Sequence, residues 1–445
     1  MTTTHDVGDT VQARTVLEER YLKRTTTSAE RTKRATHVLP GGSTRTVGWF
    51  PPYPMVFDHG QGPWLIDVDG NRYVDLFCNG LSLIHGHAYP PLVEVANRIV
   101  SNGTAWPGTS TYQIEFAELL SGRIPSHGLV RFANTGTEAG MLAVKLARRF
   151  TGRPAVVKTW GGYHGSYDDL EAGLHGQGEL PNRTWLADFN DLASFERVFA
   201  EHGDTVAAVI VESVMYTGVV TVADEAFLAG VRELAHRHDA LFILDDCLMF
   251  RLAEGGSAEA FGVAADLTVL GKFIGGGTPV GAVVGRPDVL GLLDPRHPAR
   301  VYHGGSFNGN VLGTASGTVA VTHLTGEVIE RMTRRADLIR AALEAKAEIL
   351  GLPLVTSGKG SAFGVYLTPT LPPPIDDRND LELSRLFHLA SICRGVYIGD
   401  GNEFALSTVV DDAVTAEVVE RLEAALDDLA AALCGGSLPD EDGSR

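Results

Sequence analysis

Cysteine is rare in this sequence: the 445 residues include four, namely Cys78, Cys247, Cys393 and Cys434. None of them lies in a CxxC pair or in another spacing typical of metal ligands. This excludes a zinc site and a disulfide framework as the basis of the fold. The run His85–His87 could suggest a metal site, but no third ligand lies near it, and a turn is the better interpretation. We therefore expect no metal.

Positive charge is also scarce. The chain has 37 Lys and Arg against 55 Asp and Glu, a net charge of −18, and its pI is near 5.2. This balance argues against nucleic acid or an anionic membrane as a partner. No apolar run approaches the ~18 to 20 residues that span a bilayer, and the polar start MTTTHDVGDTVQ lacks the apolar segment of a secretory signal. These absences predict a soluble cytoplasmic protein.

Between about residues 130 and 285, short apolar runs alternate with amphipathic helical patterns. The runs are LVRFAN, AVVKTW, VAAVIVES, ALFILDD, LTVLG and VGAVVG. Near-continuous apolar strands separated by helices are typical of a largely parallel sheet that is covered on both faces. The pattern therefore predicts an α/β fold with a mostly parallel sheet.

The two ends of the chain show a different pattern. Residues 13–37 suit one helix that leads to a turn at residues 40–42, and MVFDHG and PWLIDVDGNRYVDL suit a strand pair with its turn at residues 60–62. After about residue 325, long helices alternate with a few short strands. This indicates a second, smaller α+β domain that is built from both chain ends.

The predicted division of the chain follows from these patterns. Its parts are 1–75 (small domain, with 1–12 disordered), 76–325 (large domain), 326–434 (small domain) and 435–445 (a disordered tail, rich in Gly and acidic residues).

Ligands of open α/β sheets bind beyond the carboxyl ends of the strands. Polar residues that directly follow an apolar run are therefore candidates for a binding site. After LVRFA, Gly136 lets a ligand approach the backbone and Thr137 offers a hydroxyl, at a helix start that favours an anion. Taken alone, this segment is explained better by a plain helix cap at Thr135 or Thr137.

Two other strand ends carry an aromatic and an acidic side chain. Tyr163 lies between glycines in WGGYHG, directly after AVVKT, and can lie flat against a ring. A glycine-rich turn with an exposed tyrosine explains that segment equally well. Glu212 ends VAAVIV, where a carboxylate is rarely present for packing.

Asp245 and Lys272 form the most specific pair of candidates. Asp245 ends ALFIL, and Lys272 follows LTVLG. A buried aspartate can keep a pyridine nitrogen protonated, and a lysine in an apolar pocket can form a Schiff base. Among the seven lysines of the chain, Lys272 alone lies between an apolar strand and a glycine cluster, Gly275–Gly277.

Eight stretches of the chain match one family in the same order. They are PGGSTR (40–45), DVDGNRYVDL (67–76), NTGTEA (134–139), GGYHG (161–165), VES (211–213), DDCLMFRL (245–252), LTVLGKFIGGGTPVGA (267–282) and HGGSFNGN (303–310). Together they resemble the glutamate-1-semialdehyde aminomutase branch of the class III aminotransferases. PGGSTR and the segment around HGGSFNGN are most similar to β-amino-acid aminotransferases, such as the β-phenylalanine enzymes.

The resemblance implies the PLP-dependent transferase fold type I, pyridoxal 5′-phosphate (PLP) as the cofactor, and a homodimer with shared active sites. It also implies roles for two residues already singled out. Lys272 would bond covalently to the cofactor and then move a proton between the substrate and the cofactor, and Asp245 would pair with the pyridine nitrogen.

The remaining site residues are likewise implied by the resemblance. Tyr163 would stack on one face of the cofactor ring, and Cys247 would occupy the family's usual valine position on the other. The phosphate would be bound by Gly136 and Thr137, and by Ser306 of the partner subunit, where the family usually has threonine. The cofactor-binding set is completed by His164 and Glu212.

Arg45 matches the arginine that binds a substrate carboxylate in the β-amino-acid enzymes, which suits the two-pronged geometry of a guanidinium. A solvated loop arginine is the alternative interpretation of Arg45.

The chain departs from the family pattern at three places. The usual DEV(M/V)T is DDCLM (245–249), the usual VEP is VES (211–213) with Met215-Tyr216 soon after, and GVYIGDGNEF (395–404) lacks the second carboxylate-binding arginine of some β-amino-acid enzymes. These departures leave three kinds of function open. The first is amino transfer from an amino acid, with β-amino acids as candidates, to a keto acid, ketone or aldehyde. The second is a non-transaminating reaction, such as that of an aminomutase, a racemase or epimerase, or a decarboxylase. The third is a non-catalytic regulator or carrier.

Overall fold

A seven-stranded sheet forms the centre of the computed structural model, which describes residues 7–124, 128–371, 382–436 and 438. The strands are β1 (Phe57–Gln61), β2 (Trp64–Asp67), β3 (Arg72–Asp75), β4 (Leu129–Ala133), β5 (Ala155–Thr159), β6 (Thr184–Ala187), β7 (Val206–Glu212), β8 (Val214–Met215), β9 (Thr221–Val222), β10 (Leu241–Asp245), β11 (Leu267–Leu270), β12 (Gly281–Gly285), β13 (Val355–Lys359), β14 (Ala362–Tyr366), β15 (Val396–Tyr397) and β16 (Glu403–Ala405). The helices are α1 (Val7–Arg24), α2 (Thr26–Ala35), α3 (Cys78–Leu81), α4 (Pro90–Asn102), α5 (Thr111–Arg123), α6 (Gly136–Thr151), α7 (Asp168–Glu171), α8 (Leu192–His202), α9 (Phe227–Arg237), α10 (Gly256–Ala260), α11 (Pro287–Leu290), α12 (Val311–His323), α13 (Gly326–Leu350), α14 (Glu382–Cys393) and α15 (Asp412–Leu433).

The central sheet has the strand order β4-β12-β11-β10-β7-β5-β6. Six of its strands point the same way, whereas β12 runs antiparallel to both of its neighbours. The predicted α/β class and largely parallel sheet are confirmed, and each of the six apolar runs forms a strand. The edge strand β6 was not predicted from the sequence.

Both faces of this sheet are buried, which explains why its strands read as continuous apolar runs. Successive side chains of a strand point to opposite faces. Thus Ile210 and Ile243 pack with α6 on one face, while Val209 and Phe242 pack with α8 and α9 on the other. The helices flanking the sheet therefore hold the strands side by side, with their carboxyl ends at one edge.

A separate hydrophobic core joins the two ends of the chain. It contains residues of α1, α13, α14 and α15, and it covers the four-stranded sheet of order β1-β2-β3-β15. Leu17, Ile339 and Leu422 are fully buried there. Helix α1 therefore packs against α15, the last helix of the described chain.

The structure corrects two predictions for the N-terminal segment. Helix α1 begins at Val7, so residues 7–12 are helical although disorder was predicted through residue 12, and residues 1–6 lie outside the described residues. The single helix predicted over 13–37 is two helices, because Asp69 accepts hydrogen bonds from the backbone N–H groups of Thr27 and Ser28 and caps α2. Of the predicted tail, residues 437 and 439–445 lie outside the described part.

Within the described ranges, no helix combines the length and apolar character needed to cross a membrane. In the same ranges, no three or more His, Cys, Asp or Glu side chains group as metal ligands do.

Candidate active site

The carboxyl ends of five strands lie at one edge of the central sheet. These ends are Ala133 of β4, Thr159 of β5, Glu212 of β7, Asp245 of β10 and Leu270 of β11. Because the five strands point the same way, the polar residues that follow them come close together although they are far apart in the sequence. The candidate site is built from these residues.

Asp245 lies at the base of this group and is 6% exposed. One carboxylate oxygen is 2.9 Å from Nδ1 of His164, and the other accepts a hydrogen bond of 3.1 Å from the backbone N–H of Cys247. Burial alone would raise the pKa of Asp245, but the hydrogen bonds from His164 and from the backbone N–H of Cys247 outweigh burial and lower the pKa below its ordinary value. Asp245 is therefore ionised at neutral pH, with both oxygens facing N–H groups.

Glu212 lies on the neighbouring strand and is also buried. Its carboxylate accepts a hydrogen bond of 3.1 Å from the backbone N–H of Tyr163. Burial, together with the negative charge of Asp245, raises the pKa of Glu212 to about 8. This carboxyl group can therefore hold a proton at neutral pH next to a carboxylate that cannot, and its contact holds the backbone of Tyr163 at the site.

Cys247 borders a narrow space between two glycines. A Cβ atom at Gly136 would lie 2.9 Å from the sulfur of Cys247, and one at Gly271 would lie 3.1 Å from it. Burial and the charge of Asp245 raise the pKa of this thiol well above its usual value, and the positive charge of Lys272 partly offsets that shift. The thiol is therefore neutral and acts as a small apolar wall.

The start of α6 supplies an anion site. Thr135 caps the helix through its side chain, and no carbonyl of the described chain accepts the N–H groups of Gly136 and Thr137. The hydroxyl of Thr137 accepts a hydrogen bond of 3.3 Å from the N–H of Ser166. Helix N–H groups without a partner, at the positive end of the helix dipole, suit a phosphate.

Lys272 directly follows β11 and adopts a left-handed backbone conformation, with φ of 53°. For a residue other than glycine this costs roughly 1 kcal/mol or more, and such residues cluster at functional sites. Its positive charge acts on Glu212 as well as on Cys247. The structure thus brings Lys272 together with Glu212, Asp245 and Cys247.

Arg45 is exposed, and its Nη1 donates a hydrogen bond of 2.8 Å to the side-chain oxygen of Asn79. Asn79 belongs to the segment 78–87, and a Cβ atom at Gly277 would lie 3.6 Å from Leu83 of that segment. Arg45 is therefore linked, through this segment, to the glycine cluster beside Lys272. Asn79 could not be predicted as part of the site, because a single polar residue in a short irregular segment carries no pattern.

Ser306 is exposed and forms no hydrogen bond with Gly136 or Thr137 within the described chain. It lines an open groove of about 1120 Å³ together with Trp106, Arg131 and His303. Within one chain, Ser306 is thus not brought to the other predicted residues.

One lysine that was not a candidate on sequence grounds is buried in the structure. Lys158 lies in the middle of β5, is fully buried and donates to the backbone carbonyl of Ala172. Burial lowers its pKa to about 8, although the charge of Glu212 acts in the opposite direction. A lysine inside the apolar run AVVKT was a usable signal, since a charge in a fully buried strand needs a partner.

Most of the departures from the family pattern lie away from the site. Ser213 bonds to the hydroxyl of Ser257 at 2.6 Å, and the Tyr216 hydroxyl donates to the carbonyl of Phe404 at 3.2 Å. Met215 and Met249 are buried in apolar clusters. Cys247 is therefore the altered residue that borders the candidate site.

Comparisons with known proteins agree with this geometry. A family model described as "Aminotransferase class-III" matches residues 49–172 and 180–425. A glutamate-1-semialdehyde 2,1-aminomutase from Myxococcus xanthus is 35% identical over 353 residues, which cover 75% of this chain and 81% of that protein.

Solved structures resemble the chain over most of its length. One is described as a transaminase with PLP bound; it has 32% identity and a TM-score of 0.86, and the match covers 93% of this chain and 99% of that one. Another is a β-phenylalanine aminotransferase from Variovorax paradoxus, with 28% identity, a TM-score of 0.87, and coverage of 93% and 96%.

Proposed function

The chain belongs to the class III aminotransferase family, and from this premise we propose that it transfers an amino group from an amino acid to a keto acid, ketone or aldehyde. Its cofactor is pyridoxal 5′-phosphate. The observation that carries the proposal is the grouping of an ionised Asp245, a protonatable Glu212 and Lys272 beside the N-terminus of α6.

The residues present fit this cofactor. The N–H groups of Gly136 and Thr137 without a backbone partner suit its phosphate, and the buried carboxylate of Asp245 suits a protonated ring nitrogen. Cys247 and Tyr163 would flank the ring, and the 39% exposure of Tyr163 leaves one side of its ring open for contact. Glu212 would hold a proton near the ring substituents.

When bound, the cofactor supplies an electron sink that stabilises negative charge at the substrate Cα. The chain's own residues supply the other functions. The amine of Lys272 would bond covalently to the cofactor and, once displaced by the substrate amine, would move a proton from the carbon that bears that amine to the cofactor. Asp245 would keep the ring nitrogen protonated, because its charge would be uncompensated if that proton left.

We propose that Arg45 binds the substrate carboxylate. In support, Asn79 accepts a hydrogen bond of 2.8 Å from its guanidinium, and Leu83 of the same segment lies next to Gly277, five residues after Lys272. A guanidinium–carboxylate contact is worth about 1.5 to 3 kcal/mol, which corresponds to roughly a 10- to 100-fold change in affinity.

A panel of donors tests the function and the role of Arg45 together. The protein loaded with PLP is mixed with α-amino acids, β-amino acids and amines that lack a carboxylate, and the visible absorption of the cofactor is followed. We expect conversion to the pyridoxamine form by carboxylate donors, with one equivalent of keto product. In Arg45→Ala, KM for these donors should rise roughly 10- to 100-fold, while amines without a carboxylate and the surface control Arg197→Ala stay unchanged.

Two outcomes of the panel would contradict parts of the proposal. If no donor converts the cofactor but a substrate is isomerised, racemised or decarboxylated, the protein is a non-transaminating enzyme of the same family. That second candidate is favoured by the 35% identity to an aminomutase. An equal loss for every donor in Arg45→Ala would make Arg45 a structural residue rather than a carboxylate ligand.

We further propose a homodimer in which Ser306 reaches the phosphate site of its partner. Tyr302 and Phe307 flank the Ser306 loop and are 82% and 60% exposed, which is unusual for large aromatic side chains and is typical of an interface. The groove beside them would receive the second copy.

Mixing two inactive variants tests the shared site. Lys272→Ala and the bulky substitution Ser306→Trp are each expected to be inactive alone. If Ser306 acts in the partner's site, each mixed dimer contains one intact site, so random mixing restores about one quarter of the wild-type activity. No recovery, in a mixture whose sedimentation shows exchanged dimers, would assign Ser306 to its own chain's site.

A further inference from the structure

Two buried polar atoms beside the site have no hydrogen-bond partner within the described chain: Oγ1 of Thr159 and Nε2 of His164. Thr159 is 1% exposed and His164 is 2% exposed. Both atoms face the same glycine, since a Cβ at Gly162 would overlap Oγ1 of Thr159 and would lie 3.3 Å from Nε2 of His164. Both buried atoms therefore lie close to Gly162, which has no side chain, and each of them needs a hydrogen-bond partner.

The contacts of Asp245 determine which ring nitrogen of His164 carries the proton. One Asp245 oxygen already accepts from the N–H of Cys247, and the other faces Nδ1 of His164 at 2.9 Å. An ionised carboxylate is only an acceptor, so Nδ1 must carry the proton. Burial lowers the pKa of His164, so its imidazole is neutral at neutral pH, and Nε2 is then an acceptor that needs a donor. The hydroxyl of Thr159 is the buried donor nearest to that side of Gly162.

We propose that Thr159 is a positioning residue that fixes the tautomer of His164, through one water molecule held in the space beside Gly162. The bridge makes a chain of hydrogen bonds from Thr159 through His164 to Asp245. A single tautomer keeps the Nδ1 proton on the side of Asp245 and would hold that carboxylate in place for the ring nitrogen of the cofactor. The inference rests on the proposed role of Asp245 and extends it to a residue on β5.

The site is polar enough for such a water. The water would bond to Oγ1 of Thr159 and to Nε2 of His164, the two buried atoms without a partner in the described chain. Buried waters make roughly two to four hydrogen bonds, so two such partners are within the usual range. The apolar side chains around β5 offer no competing donor to His164 in the described chain.

The test uses Thr159→Val, which keeps the shape and removes the hydroxyl, and Thr159→Ser, which keeps the hydroxyl. The cofactor is removed and the PLP dissociation constant is measured on reconstitution. The nitrogen resonances of His164 are measured in the PLP-free and PLP-bound protein, and the spectrum of His164→Gln identifies them among the 15 histidines. In Thr159→Val we expect the dissociation constant to rise roughly 3- to 10-fold, the effect of one lost hydrogen bond. The Nε2 resonance should move toward that of a ring nitrogen without a donor, and Thr159→Ser should restore both values.

Each contrary result overturns the inference. If Thr159→Val matches the wild type in both measurements, Thr159 does not act on His164. If Thr159→Ser is as impaired as Thr159→Val, the methyl group and its packing matter, and the hydroxyl does not. Failure of the proposed function would look different, because the wild-type protein would then bind no PLP, or Asp245→Asn would bind it unchanged.

Discussion

Replacing Lys272 by alanine is expected to abolish turnover, with a loss of about 10⁴-fold or more, because a general acid–base group alone contributes roughly 10² to 10⁴. The variant should also lose the covalent link to PLP. Borohydride reduction followed by peptide mass analysis should find the cofactor on the Lys272 peptide of the wild-type protein and on no peptide of the variant. The melting temperature should stay near that of the wild type, since the Lys272 side chain forms no hydrogen bond in the described chain.

Two controls make the Lys272 result specific. Lys33→Ala changes an exposed lysine of α2 and should leave turnover and cofactor attachment intact. Lys158 is buried, and its charge also acts on Glu212, so its peptide is inspected for the reduced cofactor as well. Undiminished turnover in Lys272→Ala, or label on Lys158, would remove Lys272 from its proposed role.

Asp245→Asn is expected to lower kcat by roughly 10²- to 10³-fold, the size of effect produced by losing one preorganised electrostatic contact. Asparagine has nearly the same shape and can still accept the hydrogen bond from Cys247, but it carries no charge to keep the ring nitrogen protonated. The PLP dissociation constant should rise as well. Single-turnover kinetics with an established amino donor, followed by cofactor absorption, measure the step directly.

The neighbouring Asp246 offers a matched control. It is equally buried but points to the other side of β10, where both of its oxygens accept hydrogen bonds from Ser257. Burial raises its pKa to about 7, so it is partly protonated at neutral pH. Asp246→Asn should therefore leave PLP affinity close to that of the wild type. A near-normal rate in Asp245→Asn would mean that another group protonates the ring.

Much of the candidate site could be predicted because its residues end apolar strands. Gly136, Tyr163, Glu212, Asp245 and Lys272 each follow or close a run that forms a strand of the central sheet. In a parallel sheet the carboxyl ends meet at one edge, so position along the chain translates into position in space. The roles of these residues remain predictions that the variants above test.

Other features had no local signal. The edge strand β6 has four residues, too few for a recognisable period, and it forms because it pairs with β5. The sequence of the antiparallel strand β12 is as apolar as those of the parallel strands, because a strand that is buried on both faces is apolar whichever way it runs. Helix α2 ends up separate from α1 because Asp69, about 40 positions away, caps it.

The sequence by itself determined the α/β class, six of the seven strands of the central sheet and the residues that end them, because burial and strand formation leave their pattern in consecutive residues. Tertiary structure alone decided which of those residues touch. His164 and Asp245 are 81 positions apart, and Arg45 and Asn79 are 34 apart, yet each pair is in hydrogen-bond contact. Such contacts, and the two buried atoms that face Gly162, depend on how the whole sheet and its loops pack. No local pattern records that packing, since many sequences of the same pattern would place those side chains differently.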